Sequence, residues 1–183
     1  MITLEEITLI HAPIERCFDL ARSVEVHLAG NVHWGEAAIA TSEGVTAGVT
    51  AGVTTGVTTG VTTGLLDLGQ RVTWQARHFG IRQKLTSEIT AMKRPTYFQD
   101  SMIRGAFAFM EHEHIFRAVS GEITEMRDLF YFSAPLAGLG RLAEELVLRR
   151  YMQKLLRERN RVIQQIAEGA QWKTYLPVFS ERR

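Results

Sequence analysis

Met110-Glu111-His112-Glu113-His114-Ile115-Phe116, a break at Ser120-Gly121, and then Met126-Arg127-Asp128-Leu129-Phe130-Tyr131-Phe132 are the residues on which the reading of the fold turns. Successive side chains of a strand point to opposite faces. In the first run Ala108, Met110, His112, His114 and Phe116 therefore share one face, and Glu111 and Glu113 share the other. In the second run Met126, Asp128, Phe130 and Phe132 share a face. A short turn between two such strands makes an antiparallel pair, which is expected to set Asp128 beside a histidine on an inward-facing surface.

Working back toward the N-terminus, the same period of two recurs between turn residues. Arg71 to Phe79 alternates Val72, Trp74, Ala76 and His78 against Thr73, Gln75, Arg77 and Phe79, and Gly80 ends it. Ile81 to Thr90, Thr96 to Arg104 after Lys93-Arg94-Pro95, Ala106 to Val119 and Ile123 to Phe132 continue a meander of antiparallel strands that begins near Trp34. Phe98, Asp100 and Met102 are expected to extend the inner face that holds Trp74 and His78. At the start, residues 2 to 10 have a β-type composition. Pro13 suits a first helical position, Ile14, Cys17, Phe18 and Ala21 form one apolar stripe, and Ser23 can cap a second short helix stopped by a left-handed Gly30 or Asn31.

After Ser133-Ala134-Pro135 the chain is rich in helix formers to about Glu168. Its apolar positions fall in two sets: Leu139, Leu142, Ala143 and Leu146 on one side, and Leu148, Met152, Leu155, Val162, Ile163 and Ile166 nearly opposite. A kink or break between Val147 and Arg150 would turn both sets to the sheet. The arginines at 149, 150, 157, 159 and 161 read as the solvated side of this helix. In the C-terminal extension, 169–183, Trp172, Tyr175, Leu176 and Phe179 are expected to pack down in part.

Length and composition bound the rest. At 183 residues, 45% hydrophobic and 22% charged, the chain is expected to form a single ligand-binding domain over 1–183. A formal charge of +1 gives no support for nucleic-acid binding. One cysteine, Cys17, allows no internal disulfide and reads as a buried thiol. The first residues lack the basic and apolar regions of a secretion signal, so a cytoplasmic location is expected.

Residues 44–64 are a repeat, Gly-Val-Thr-Ala twice, Gly-Val-Thr-Thr three times and a closing glycine. A helix there opposes the propensities of Gly, Val and Thr by several kcal/mol, to the extent of about 1 kcal/mol for each Gly. A membrane span has a suitable length but too much Thr and Gly, and no stable membrane insertion is expected. An extended insertion between strands, with pairing registers of nearly equal energy, is the reading that fits.

No nucleophile elbow, phosphate loop, dinucleotide fingerprint or cysteine pair for zinc is present. The polar cluster at His112, His114 and Asp128 is open to several roles: a structural polar cluster, anchoring of a ligand headgroup, general acid/base catalysis, or ligation of a metal. No metal or cofactor is expected.

The chain also resembles a known superfamily. Its element order, together with Ile10-His-Ala-Pro-Ile-Glu-Arg-Cys-Phe18, Val72 to Gly80, Phe98 to Gly105, His112-Glu-His114, Met126-Arg-Asp128 and the long Arg-rich helix, is similar to the START-related, birch-pollen-allergen-like superfamily SRPBCC. Among its bacterial members, some labelled cyclase/dehydrase or cell-division inhibitor look alike in these segments. The resemblance implies an α+β helix-grip fold, a curved antiparallel sheet around the last helix, and a cavity that holds a lipid, polyketide or similar molecule. The partner expected is thus a hydrophobic small molecule. Trp74, His78, Phe98, Met110, Phe116, Phe130 and Phe132 are its expected lining, with His112, His114 and Asp128 as polar anchors or, in a cyclase/dehydratase, catalytic groups. A third reading is an interaction module with a filled core.

Overall fold

In the computed structural model residues 1–32, 35–39, 62–133 and 141–176 are described, those at 141–145 by their backbone only. The order of elements is β1 (Ile2–Ile10), α1 (Ile14–Ala21), α2 (Val24–Gly30), β2 (Ala37–Ile39), β3 (Arg71–His78), β4 (Ile81–Lys93), β5 (Tyr97–Arg104), β6 (Phe109–Ser120), β7 (Ile123–Ser133), α3 (Arg141–Glu168) and α4 (Trp172–Tyr175). The strands form one seven-stranded sheet in the order β1-β7-β6-β5-β4-β3-β2, every pairing antiparallel. Register shifts at Thr86/Ser87, Ile89/Ala91 and Ala118/Ser120 put extra residues into the ladder, which bends and twists the strands. The result is an α+β helix-grip fold, with a curved sheet against α3.

Local chemistry explains the boundaries. Pro13 caps α1 rather than opening it, and Ser23 caps α2 by accepting the Val26 N–H at 3.3 Å. Asn31 closes α2 at φ −118°, not in the left-handed region; its side chain donates to Glu36 instead. The β3–β4 hairpin turns at Phe79 (φ 51°) and Gly80 (φ 78°), a pair of left-handed residues as a type I′ turn requires. β6 begins at Phe109, three residues later than the pattern suggested, because Phe107 folds back onto the rings of Phe130 and Phe132.

Two corrections concern α3. It runs unbroken through residues 147–150, so the expected break is absent, and Leu146 and Val147 stay 49% and 57% exposed. Arg159 is not on a solvated side: it is 7% exposed and its Nη2 donates to the Ala21 carbonyl at 3.0 Å. The two helices meet closely there, since a Cβ on Gly30 would lie 3.2 Å from the Arg159 Cα. Of the C-terminal extension, α4 and buried Leu176 pack down, with Arg16 above the Trp172 ring. Residues 40–61, with most of the repeat, lie outside the described residues; its end is tied to α2 through Val24 N–H to the Gly64 carbonyl and Gly64 N–H to Glu25.

The core has two parts. One gathers Ile10, Cys17, Phe18, Leu20, Val24, Val72, Phe98, Phe116, Met126, Ile163 and Ile166 between α1, α2, the sheet and the C-terminal half of α3. The other gathers Ile2, Leu4, Met110, Phe130, Phe132 and Leu156. Cys17 is fully buried, and burial pushes its thiol up to about 11. At pH 8 roughly one molecule in a thousand then carries a thiolate. A chromogenic disulfide reagent is expected to leave the folded chain unlabelled and to label one thiol on denaturation; rapid labelling of the folded chain would contradict this burial.

Candidate functional site

Between the two parts of the core the interior is not filled. A cavity of about 340 Å³ opens there, bounded by β3, β4, β5 and β6 on one side and by α2 and the N-terminal half of α3 on the other. Its wall is mostly apolar: Leu66, Trp74, Leu85, Ile89, Phe98, Phe107, Met110, Phe130, Leu148, Met152, Leu155 and Leu156. Short side chains at Ala21, Ala76, Ser87 and Ala106 leave the room. The set Leu148, Met152 and Leu155, which faces the sheet from α3, supplies the helical part of the wall.

The structure brings Trp74, His78, Phe98, Met110, His112, His114 and Phe130 to this wall. Phe116, Asp128 and Phe132 do not line it. Phe116 packs against Phe18 and Phe98, Phe132 sits beneath Phe107 and Phe130, and both are at most 2% exposed. Asp128 lies one layer behind the histidines.

That layer is a tight polar network. The register pairs His114 with Asp128, His112 with Phe130 and Asp100 with His112 across β7, β6 and β5. His112 Nε2 meets Asp128 Oδ1 at 3.0 Å, and Asn160 on α3 donates to Asp128 Oδ2 at 2.7 Å. His114 Nδ1 lies 2.7 Å from Asp128 Oδ1 but off the line of a hydrogen bond. Arg159 Nη1 is 3.6 Å from the same oxygen. On the cavity side, Asp100 Oδ1 is 3.4 Å from His114 Nε2 and 3.9 Å from His112 Nδ1. The ring of His114 stacks on Phe98 with centroids 4.1 Å apart, and His112 stands edge-on to Phe130.

Burial raises the Asp128 carboxyl, but the His112 hydrogen bond and the nearby His114 override it and hold Asp128 well below the usual carboxylate range. Asp100 is likewise held down against burial by His114 and His112. For His112 burial wins, with His114 adding to it, and the imidazole is pushed down to about 4. The neutral ring still has one N–H for Asp128. Asp100, His112 and His114 present one donor atom each, all within 4.8 Å of one another, so this trio could hold a metal ion.

A second polar group stands elsewhere on the wall. His27 stacks on Trp74 at 3.9 Å and meets Glu36 at 3.1 Å, while His78 Nδ1 is 2.6 Å from the Tyr151 hydroxyl. Burial raises Glu36, yet His27 and Asn31 keep it below its ordinary value. Burial pushes Tyr151 up to about 12 and lowers His78. His27, Glu36, Asn31, Tyr151 and Arg159 were not among the residues picked from the sequence. Their signal is weak because each lies on a short helix, in the segment that joins α2 to β2, or on a charged helix whose orientation is a tertiary matter.

Comparison with known proteins supplies the fold and no more. No protein-family model and no curated protein matches the chain. Solved structures do match. TTHA0849 from Thermus thermophilus is 17% identical, with a TM-score of 0.60 over 88% of this chain and 97% of that one. A START superfamily protein from Mycobacterium smegmatis is 10% identical, with a TM-score of 0.58 over 90% and 98%. The di-domain ARO/CYC BexL of the BE-7585A biosynthetic pathway is 16% identical, with a TM-score of 0.57 over 90% of this chain and 46% of that one.

Proposed function

We propose that this chain, with the helix-grip fold of START-related proteins, binds a hydrophobic small molecule between the sheet and α3. The observation that carries this is the cavity of about 340 Å³, apolar over most of its wall and polar at Asp100, His112 and His114. Ligand sites in proteins begin at about 300 Å³ and pair an apolar lining with a few polar groups that fix orientation. A filled interior would have supported the interaction-module reading instead. Met110, Phe98, Trp74 and Phe130 supply burial, and the two histidines with Asp100 anchor a polar end. Among the described residues no helix is long and apolar enough to cross a membrane.

The test is calorimetric titration with 1-anilinonaphthalene-8-sulfonate, a probe that carries an apolar ring system and one anionic group. One saturable site is expected. Ala76→Phe, which puts a ring into the cavity from β3, is expected to weaken binding by about tenfold or more, or about 1.4 kcal/mol. Absence of a saturable site, or equal affinity in the variant, would remove the reading.

A second reading, a cyclase/dehydratase-type enzyme on a polyketide-like substrate, is favoured by one feature: Asp128 orients an imidazole at the cavity wall, an arrangement suited to moving a proton. Loss of turnover in His112→Ala with probe affinity retained supports the enzyme, and weakened affinity without any turnover supports simple binding.

A further inference from the structure

The histidine pair is flanked by carboxylates on both sides. Asp128 meets His112 Nε2 and His114 Nδ1 from behind, at 3.0 and 2.7 Å, and Asp100 meets the other nitrogen of each ring from the cavity side, at 3.9 and 3.4 Å. A neutral imidazole carries one N–H and one lone pair. The N–H of His112 points at the fully buried Asp128, which turns the Nδ1 lone pair of that ring toward Asp100, whereas His114 reaches Asp100 through Nε2 and its buried Nδ1 has no hydrogen-bond partner. Asp100 Oδ1, His112 Nδ1 and His114 Nε2 thus converge at the cavity wall, all within 4.8 Å of one another, and an ion held there would leave the His114 Nδ1 N–H to face Asp128.

We propose that Asp100, His112 and His114 bind a divalent first-row transition-metal ion, with Asp128 as the carboxylate that orients the His112 imidazole. Bonds of about 2.0–2.2 Å to nitrogen and oxygen place neighbouring ligand atoms roughly 3–3.5 Å apart. The 3.4 Å pair already fits, and the three donor atoms, which lie within 4.8 Å of one another, draw together by small rotations of the two rings and of Asp100, whose side chain is 19% exposed. Two imidazoles and one carboxylate favour a transition ion over magnesium or calcium. A carboxylate on the distal nitrogen of a ligating histidine is the usual outer partner, as Asp128 is for His112, and Asn160 holds that carboxylate in turn. Three protein ligands on the wall leave the remaining positions turned to the cavity. If the cavity takes an apolar molecule, one with a carbonyl, carboxylate or hydroxyl oxygen could complete the coordination.

The chain freed of metal by a chelator and dialysed is titrated with cobalt(II) chloride, read by its visible bands and by calorimetry. One equivalent is expected to bind and to be displaced by zinc. Asp100→Asn and His112→Gln are expected to abolish the bands, and Asp128→Asn, which keeps the shape of the outer carboxylate, to weaken binding about 10–100-fold. Far-UV spectra and melting curves of the variants accompany the titrations. No stoichiometric cobalt binding to the unaltered chain, or bands that survive in both Asp100→Asn and His112→Gln, overturns the proposal whichever variants fold. Absent bands with intact sulfonate-probe binding sink the metal site alone, and the converse sinks the cavity reading alone.

Discussion

Replacing Asp128 by alanine is expected to lower unfolding stability by about 3–5 kcal/mol, the range seen when one partner of a buried ionic group is removed. The carboxylate is completely buried and takes His112 at 3.0 Å, Asn160 at 2.7 Å and the charge of Arg159 at 3.6 Å. Without it, Arg159 keeps a buried charge with no neighbour of opposite sign on β7, and the Asn160 amide loses the nearer of its two acceptors, keeping Thr8 Oγ1 at 3.4 Å. Each lost partner also strands a polar group that water cannot reach. Asp128→Asn keeps the volume and one hydrogen bond, so its loss is expected to be smaller, about 1–3 kcal/mol. Urea unfolding followed by fluorescence reads both; at this chain length the alanine variant should melt lower by about 2–4 °C for each kcal/mol lost. A loss below about 1 kcal/mol in Asp128→Ala would show that this network does not hold β6, β7 and α3 together.

The second large effect is expected at Phe18. Its ring is completely buried on α1 and meets Phe98 at 5.5 Å and 88° and Phe116 at 5.4 Å and 68°, both edge-on. These contacts fasten α1 to β5 and β6. Phe18→Ala removes the ring from a packed layer that cannot close over the gap, at a cost of about 3–5 kcal/mol. Ile103, 50% exposed on β5, is the control: its alanine variant is expected to fall within about 0.5 kcal/mol of the parent. If the two variants unfold at similar urea concentrations, Phe18 is not the wedge described.

The strands were legible because their information is local. Alternation at Met110, His112, His114 and Phe116 against Met126, Asp128, Phe130 and Phe132 needs only the pleat, and the structure places all eight on buried positions. The pairing of Asp128 with a histidine followed from the short turn, which limits the register. The array at 44–64 has no comparable signal, since identical units favour no single pairing.

Which carboxylate faces the cavity was not legible. Asp100 and Asp128 each lie on an inward face, and the choice depends on how far the sheet bends and on what α3 places against each strand. Helix α3 shows the same limit. Its arginines have the spacing of a solvated face, yet Asn160 is drawn inside by its hydrogen bond to Asp128, and Arg159 by its hydrogen bond to the Ala21 carbonyl and the charge of Asp128.

Periodicity, turn residues and caps are contained in neighbouring residues, so the chain's order of letters was enough to determine strand, helix and inward face. The cavity and its polar wall depend on residues that meet across 14 to 73 positions, as in His114 with Asp100 and His78 with Tyr151. Such contacts are set by sheet curvature and helix docking, which no local pattern encodes, and they came into view when the chain was folded.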